Sequence, residues 1–314
     1  MTINRLIKCT VVGAALLFGS AGLHSTVLAA AELGLQKYMG DKAPQFADPA
    51  AAVDAFKAAL AANDVDGLAK LLGLDAAKLK GAEGIMDRFA EIRQGAQKLL
   101  SVGGGDDLKI ISLGDKVWPF PFPVVKGADG KWAFDTKAGI EEIVNRRVGE
   151  NELQAIATAR AYVDAQRDYA ASDHDGDGVQ EYAQKLVSSA GKMDGLYWPT
   201  EQGDGDSPAG SFVDQAAFNK AKEGDGYFGY RFRILRGQGN QVAGGRYDYT
   251  INDNMIAGFA LIAWPVSYAE TGVKTFMVNQ AGIVYEKDLG QDTEATVKEI
   301  ARFNPDKTWE ITGD

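Results

Sequence analysis

The sequence predicts an α+β protein in two parts: a small helices-then-hairpin domain, then a long helix packed on an antiparallel sheet. Three observations carry this. Apolar residues recur at helical spacing through residues 48–100 and again from Asn151. Short β-branched or aromatic runs crowd residues 108–134 and 227–287, bounded by turn residues. The connections between those runs are short, which favours antiparallel pairing. The 314 residues suffice for one large or two ordinary domains. With 46% hydrophobic and 24% charged residues, the composition is that of a globular chain able to bury a core.

The N-terminus is a targeting segment by its pattern. Arg5 and Lys8 precede an apolar run over 11–23, and Ala29, Ala30 and Ala31 follow. A basic start, a short apolar middle and a small-residue end describe a secretory signal peptide, residues 1–30. The run is shorter than the about 20 residues a membrane span needs, so an uncleaved anchor is the lesser alternative. Cleavage removes Cys9, the only cysteine, and leaves an exported chain without disulfides. Such a chain must be held by core burial or a metal. The formal net charge of −10 becomes more negative when Arg5 and Lys8 leave. An acidic surface with no basic cluster argues against nucleic acid and anionic membranes as partners.

Residues 31–47 form a leader. The first domain, 48–148, opens on Asp48-Pro49, an N-cap followed by a proline suited to the first helical position. Val53, Phe56 and Leu60 give that helix its apolar stripe, and Asn63-Asp64 stops it. Val65, Leu68, Leu71 and Leu72 make a second helix, ended by Gly73. Ile85, Phe89, Ile92 and Leu99 make a third over 85–100. Residues 103–107 are a loop, 108–113 a strand, and 122–126 with 131–134 a hairpin about Gly127-Ala128-Asp129-Gly130. This helices-then-hairpin unit is similar to the cone-shaped domains of the nuclear-transport-factor-2-like class.

The second domain, 149–314, opens on a long helix from Asn151, with Asn as cap and Gln154 three residues on. Leu153, Ile156, Ala159, Val163 and Ala170 trace its stripe. An acidic loop, 172–184, and a short helix over 181–188 follow. After a Gly-rich loop at 202–210 the character is β: 227–235, 246–251, 256–264, 273–278 and 283–287, with Asn279-Gln280-Ala281-Gly282 as a hairpin turn. A short helix over 293–303 precedes the tail.

The acidic loop is the sharpest chemical feature. Asp173, Asp175, Asp177 and Gly178 match the front half of an EF-hand-like loop, with Val179 placed to offer its carbonyl. Calcium takes 6–8 oxygens, and alternate side chains in a tight loop point at one centre. The back half departs from the pattern. Gln184 stands at the twelfth position instead of a bidentate Glu, and Glu181 at the ninth can supply a carboxylate. The expected ligands to a structural Ca2+ are therefore Asp173, Asp175, Asp177, Val179, Glu181 and Gln184, with affinity of about 10⁻⁴ to 10⁻³ M. A solvated turn is the equal alternative, because Asp and Gly are the ordinary turn residues. His174 is expected to be exposed and no ligand.

No catalytic residue stands out. One histidine remains after the leader, without a G-x-S-x-G stretch, which disfavours Ser-His-Asp chemistry and a His/Cys zinc site. Residues 236–240, Arg-Gly-Gln-Gly-Asn, lack the ending of a phosphate loop and read as a connection between strands. A pair of carboxylates for glycan or peptide hydrolysis stays open, since it needs a spacing across a cleft that sequence does not give. The aromatics of residues 118–123 and of Leu196-Tyr197-Trp198-Pro199 fit a domain seam better than a ligand platform, because apolar rings bury.

Several phrases together resemble one family. They are Trp118-Pro119-Phe120-Pro121, residues 161–167 (AYVDAQR), Asp194-Gly195-Leu196-Tyr197-Trp198, Gly258-Phe259-Ala260-Leu261 and residues 284–290 (VYEKDLG). The chain resembles the bacterial domain-of-unknown-function family 2950, exported proteins of Gram-negative bacteria. The resemblance implies export and two-part organisation, and brings no activity or catalytic residue. The helix from 151, then strands ending in residues 272–276 and 279–285, is also similar to the globular heads of type IV pilins and pseudopilins. Pilins polymerise through an apolar helix at the mature N-terminus. Here a whole domain precedes the helix, so no filament is expected. The expected role is a periplasmic or secreted, non-enzymatic binding module for an envelope protein or polymer, the alternative a carboxylate-dependent hydrolase.

Overall fold

The computed structural model describes residues 36–82, 84–201 and 205–313. The signal segment 1–30 and the first residues of the leader lie outside the described residues. The leader's later part is structured. Gln36–Tyr38 form a 3-10 turn, and Phe46 pairs with Trp132 through two backbone hydrogen bonds of 2.7 and 2.9 Å.

The first core is built as the apolar spacing predicts. Helix α1 (Pro49–Ala61) starts where Asp48 accepts a hydrogen bond from Ala51 N at 2.8 Å, with Pro49 in its first turn. It buries Val53, Phe56 and Leu60. Helix α2 (Val65–Leu71) is capped by Asp64, which accepts from Gly67 N at 2.8 Å. A short helix α3 (Ala76–Lys80) follows. It went unread because it buries nothing and has no stripe; its signal is the Asp75 cap. Helix α4 (Ile85–Lys98) leads into an antiparallel sheet of β1 (Leu100–Gly103), β2 (Leu108–Leu113), β3 (Trp118–Pro119), β4 (Val124–Lys126) and β5 (Trp132–Phe134). The order is β1-β2-β4-β5, with β3 also on β2. The hairpin β4–β5 sets Val124 opposite Phe134 and Lys126 opposite Trp132.

Phe56, Phe120, Phe122 and Phe134 are the centre of this core, with ring centroids 4.8 to 6.0 Å apart. The expectation that residues 118–123 plug a domain seam is thus corrected for Phe120 and Phe122. Alternation with prolines turns both rings inward into the first core. Trp118 stays at the surface, with the Arg146 guanidinium over its ring.

Helix α5 (Thr136–Tyr169) is the second correction. It does not begin at Asn151 but fifteen residues earlier, where Asp135 caps it by accepting from Ala138 N at 3.0 Å. Ile140 and Val144 extend the stripe one helical repeat apart, and no proline interrupts it. The boundary at 148–149 therefore falls within one continuous helix. Ile140 belongs to the first core, and Ala155, Ala159, Tyr162 and Val163 to the second. Gly139 is where the helix lies closest to the first core: a Cβ there would overlap the Phe122 ring. Asn151 is not a cap but, with Glu152, an anchor to the second half. Asn151 donates to Thr271 O at 2.9 Å, and Glu152 accepts from Val273 N and Lys274 N at 2.8 and 2.9 Å.

The second core lies between α5 and a five-stranded antiparallel sheet. Its strands are β6 (Tyr230–Leu235), β11 (Ala260–Pro265), β12 (Lys274–Asn279), β13 (Tyr285–Asp288) and β14 (Glu310–Ile311), in the order β14-β13-β12-β11-β6. Helix α5 packs on β12 and β11. Between β6 and β11 lie two small ribbons. β7 (Gly237–Gln238) pairs with β8 (Tyr247–Asp248), and β9 (Thr250–Ile251) with β10 (Asn254–Met255). The predicted strand over 246–251 is thus split, and Gly237-Gln238 is part of a ribbon instead of a bare loop. Gly282 closes the predicted β12–β13 turn by donating to Asn279 O at 2.9 Å. Helix α6 (Gln215–Glu223) precedes β6, and α7 (Thr293–Glu299) covers part of β11. The result is the expected α+β arrangement of a helices-and-sheet unit followed by a long helix on an antiparallel sheet.

Candidate functional site

The acidic loop leaves the end of α5 and gathers its aspartates. Oxygens of Asp173, Asp175 and Asp177 lie within 4.8 Å of one another, and all three residues are exposed. Backbone amides shape the cluster. Asp173 accepts from Gly176 N at 2.8 Å and Gly178 N at 2.9 Å. Those bonds hold its carboxyl below the usual carboxylate range. Asp177 accepts from Val179 N at 2.7 Å and from the Asn254 amide at 2.8 Å. The turn is possible because Gly176 and Gly178 sit at φ +79° and +87°, where a side chain is strained.

The back half of the expected ligand set points elsewhere. Glu181 accepts from Met255 N at 2.8 Å, and Gln184 donates to Asp253 O at 2.6 Å. Both side chains therefore fasten the loop to the β9–β10 ribbon. Val179 contributes its N–H to Asp177. The structure brings together three of the six named residues.

The helix expected over 181–188 is absent, so the loop is not flanked by two helices. The physical reason is competition for backbone groups. Gln166, fully buried on α5, accepts from Ala183 N at 2.8 Å and donates to Ala183 O at 2.8 Å, as a neighbouring strand would. Tyr182 N donates to Met255 O, while Lys185 O and Leu186 O accept from Leu196 N and Tyr197 N. With those groups engaged laterally, an i to i−4 ladder has nothing left to bond.

His174 is also corrected. It is half-buried, stacked on the Tyr169 ring at 4.0 Å, with Nε2 3.0 Å from Tyr169 O. The aromatic ring next to it made stacking preferable to solvent. Behind this stack lies a polar cleft of about 700 Å³, lined by Asp168, His174, Trp198, Asp206, Ser207 and Gln215 among others. Trp198 is 4% exposed and its Nε1 donates to Gly205 O, so its ring face is no platform. No lysine or arginine is among the described lining residues.

A second cavity, of about 450 Å³, adjoins it across Tyr197. Ala161, Tyr162 and Ala165 of α5 form one side, Tyr230 and Phe232 of β6 another, and Phe218 of α6 a third. Its character is apolar throughout. Every hydroxyl on its wall is engaged. Tyr162 donates to Ala260 O at 3.3 Å, Tyr230 to Lys274 O at 2.9 Å and Thr158 to Gln154 O at 2.7 Å. Tyr227 accepts from Asp214 N at 3.0 Å, and Tyr197 from the Gln215 amide at 2.9 Å. Burial pushes the Tyr162 and Tyr230 phenols well up, which keeps them protonated donors. Arg231, the only charged residue among the described lining, turns its guanidinium to Glu294 of α7 at 3.0 Å.

Sequence reasoning missed this cavity because α6 was not read. Its signals were present: Asp214 caps it by accepting from Ala217 N at 2.8 Å, and Gly224 ends it at φ +106°. No carboxylate, histidine or lysine is among the cavity's described lining residues. Its volume suits a small ligand, in the range of about 300–1,000 Å³ common for such sites.

No helix among the described residues is long and apolar enough to cross a membrane. No curated protein and no solved structure matches the chain. The likeness to pilin heads accordingly rests on a helix packed on an antiparallel sheet and nothing further. Residues 43–312 match the family described as "Protein of unknown function (DUF2950)", and the chain belongs to that family.

Proposed function

We infer that this is an exported, non-enzymatic binding protein of the cell envelope, and that the apolar cavity between α5, β6 and α6 is its ligand site. One observation carries the reading: a ligand-sized cavity whose described hydroxyls are all hydrogen-bonded and whose only charged residue among the described lining is paired outward. Such a wall rewards apolar surface and offers no group for chemistry. Export to the periplasm rests on residues 1–30, with Arg5, Lys8 and the small residues at Ala29 to Ala31. Calcium is the proposed structural ion of the loop, held by Asp173, Asp175 and Asp177 and not by Glu181 or Gln184, whose side chains are engaged elsewhere. An acidic surface favours partners other than nucleic acid.

The test is a titration of the signal-free chain with N-phenyl-1-naphthylamine, a neutral fluorophore. Saturable binding that Ala161→Trp reduces at least tenfold, with the fold retained, is the expected result. Absence of saturable binding rules the cavity out as a ligand site. A second reading, a carboxylate-dependent hydrolase, is favoured by one observation: Asp168 and Asp206 line the same polar cleft. It predicts turnover of chromogenic glycosides or peptides that Asp168→Asn and Asp206→Asn each abolish.

A further inference from the structure

The two cavities are neighbours of opposite character. Tyr197 lines both, and the segment from Ser207 to Gln215 runs between them. Ala209, Phe212 and Val213 from that segment face the apolar side, while Ser207, Gly210, Ser211 and Gln215 face the polar side. The partition at Tyr197 is its ring, edge-on to Phe218 at 4.9 Å, with the Gln215 amide donating to its hydroxyl at 2.9 Å. Tyr197 and Gln215 are both at least partly accessible, and Gln215 lies in the first turn of the short helix α6.

The polar side has two features that point to a ligand headgroup. Its described lining carries Asp168 and Asp206 without a lysine or arginine, so an anion is disfavoured there. The Ser207 Oγ is buried, with the residue 7% exposed, and has no hydrogen-bond partner among the described residues. A buried hydroxyl left unpaired weakens the fold, a loss that a polar ligand lodged beside it would offset. Gly210 lies against that oxygen, since a Cβ there would come within 2.9 Å of it.

Resting on the binding reading above, we propose that the ligand is a single-tailed amphiphile. Its hydrocarbon tail fills the apolar cavity, and its uncharged, hydroxyl-bearing head sits in the polar cleft past Tyr197. The tail meets a wall with no unsatisfied polar group. The head meets carboxylate acceptors at Asp168 and Asp206 and the hydroxyl of Ser207. A sugar or polyol head supplies donors for the first and acceptors for the second. Phosphate or carboxylate heads supply only acceptors and negative charge.

The experiment displaces bound N-phenyl-1-naphthylamine from the signal-free chain with three eight-carbon compounds below their micellar concentrations: octan-1-ol, n-octyl β-D-glucoside and octyl phosphate. The glucoside is expected to displace at a concentration at least tenfold lower than octanol, and octyl phosphate to be the weakest. Ser207→Ala with Asp206→Asn should bring the glucoside to within twofold of octanol and leave octanol unchanged. Ser207→Ala removes a hydroxyl that no described protein group engages, so the fold is retained. Equal displacement by glucoside and octanol, or best displacement by the phosphate, overturns the amphiphile while the apolar site stands. Failure of the fluorophore to bind removes the site, and the amphiphile with it.

Discussion

The two halves of this molecule are served by one helix and solve burial differently. Around the first half of α5 the core is apolar, and a cavity of about 470 Å³ opens at its edge against Phe46, Ala55 and Leu71. Phe56, Phe120, Phe122 and Phe134 fill it ring against ring, and no polar side chain takes part. Around the second half the core is threaded with polar groups: Gln166 and Gln238 are buried, and Tyr162, Tyr230 and Tyr249 each carry a hydroxyl to an internal partner. Both large cavities that adjoin across Tyr197 lie on that second side. A ring-packed core stabilises by transfer and dispersion alone. A polar-threaded core positions segments that have no regular structure of their own, such as residues 181–188, and leaves space between them. The difference separates a ring-packed half from the half that holds the proposed ligand site.

The contrast can be broken first where packing is tightest. Phe56→Ala should cost about 3–5 kcal/mol in chemical unfolding, because Phe56 is fully buried and touches Phe120 and Phe134. Ligand binding by the folded fraction should be unchanged. In the second core the corresponding loss is polar. Gln166→Leu keeps the volume but strips the partners of Ala183 N and O, and should cost about 2–4 kcal/mol. Hydrogen exchange should show residues 181–188 opening before the rest, and fluorophore affinity should fall with them.

Smaller effects sharpen the comparison. Calcium at ten times its Kd should stabilise the chain by about 1.4 kcal/mol, because an ion bound only by the native state shifts the folding equilibrium. Asp175→Ala should abolish that rise in Tm, and a wild-type chain indifferent to calcium would leave the aspartates as a solvated turn. The smallest effect is at Asp194. Burial raises its pKa, but hydrogen bonds from Lys185 at 2.6 Å and Ser189 N at 2.7 Å outweigh burial and hold it at about 2. Its folded pKa is depressed, so its contribution is present above about pH 4 and is lost as pH falls towards 2. The carboxylate is 30% exposed, so Asp194→Asn should cost about 1 kcal/mol at neutral pH and only a small part of that at pH 2.

Much of this architecture was legible. Asp48-Pro49 and the Val53, Phe56, Leu60 spacing specify α1, and Asn279-Gln280-Ala281-Gly282 specifies the β12–β13 turn. What could not be read is lateral. Asn151 has the chemistry of a cap, yet its amide is used sideways on Thr271 O. Residues 181–188 have helical composition, yet Gln166, seventeen residues back from Ala183, takes their backbone. At the loop, the alternating aspartates announced their own convergence. The engagement of Glu181 and Gln184 with Met255 N and Asp253 O depends on a ribbon some seventy residues away. The apolar cavity arises only where α5, β6 and α6 meet, and no local pattern encodes that meeting.

The central claim is that binding belongs to the second half. Hydrogen–deuterium exchange of the full signal-free chain, with and without saturating N-phenyl-1-naphthylamine, tests it most directly. The account predicts slowed exchange in residues 186–197 and 209–232 and in the α5 segment around Ala161 to Ala165, with none in residues 49–134. Protection centred on the first core, or none anywhere at saturation, would contradict it.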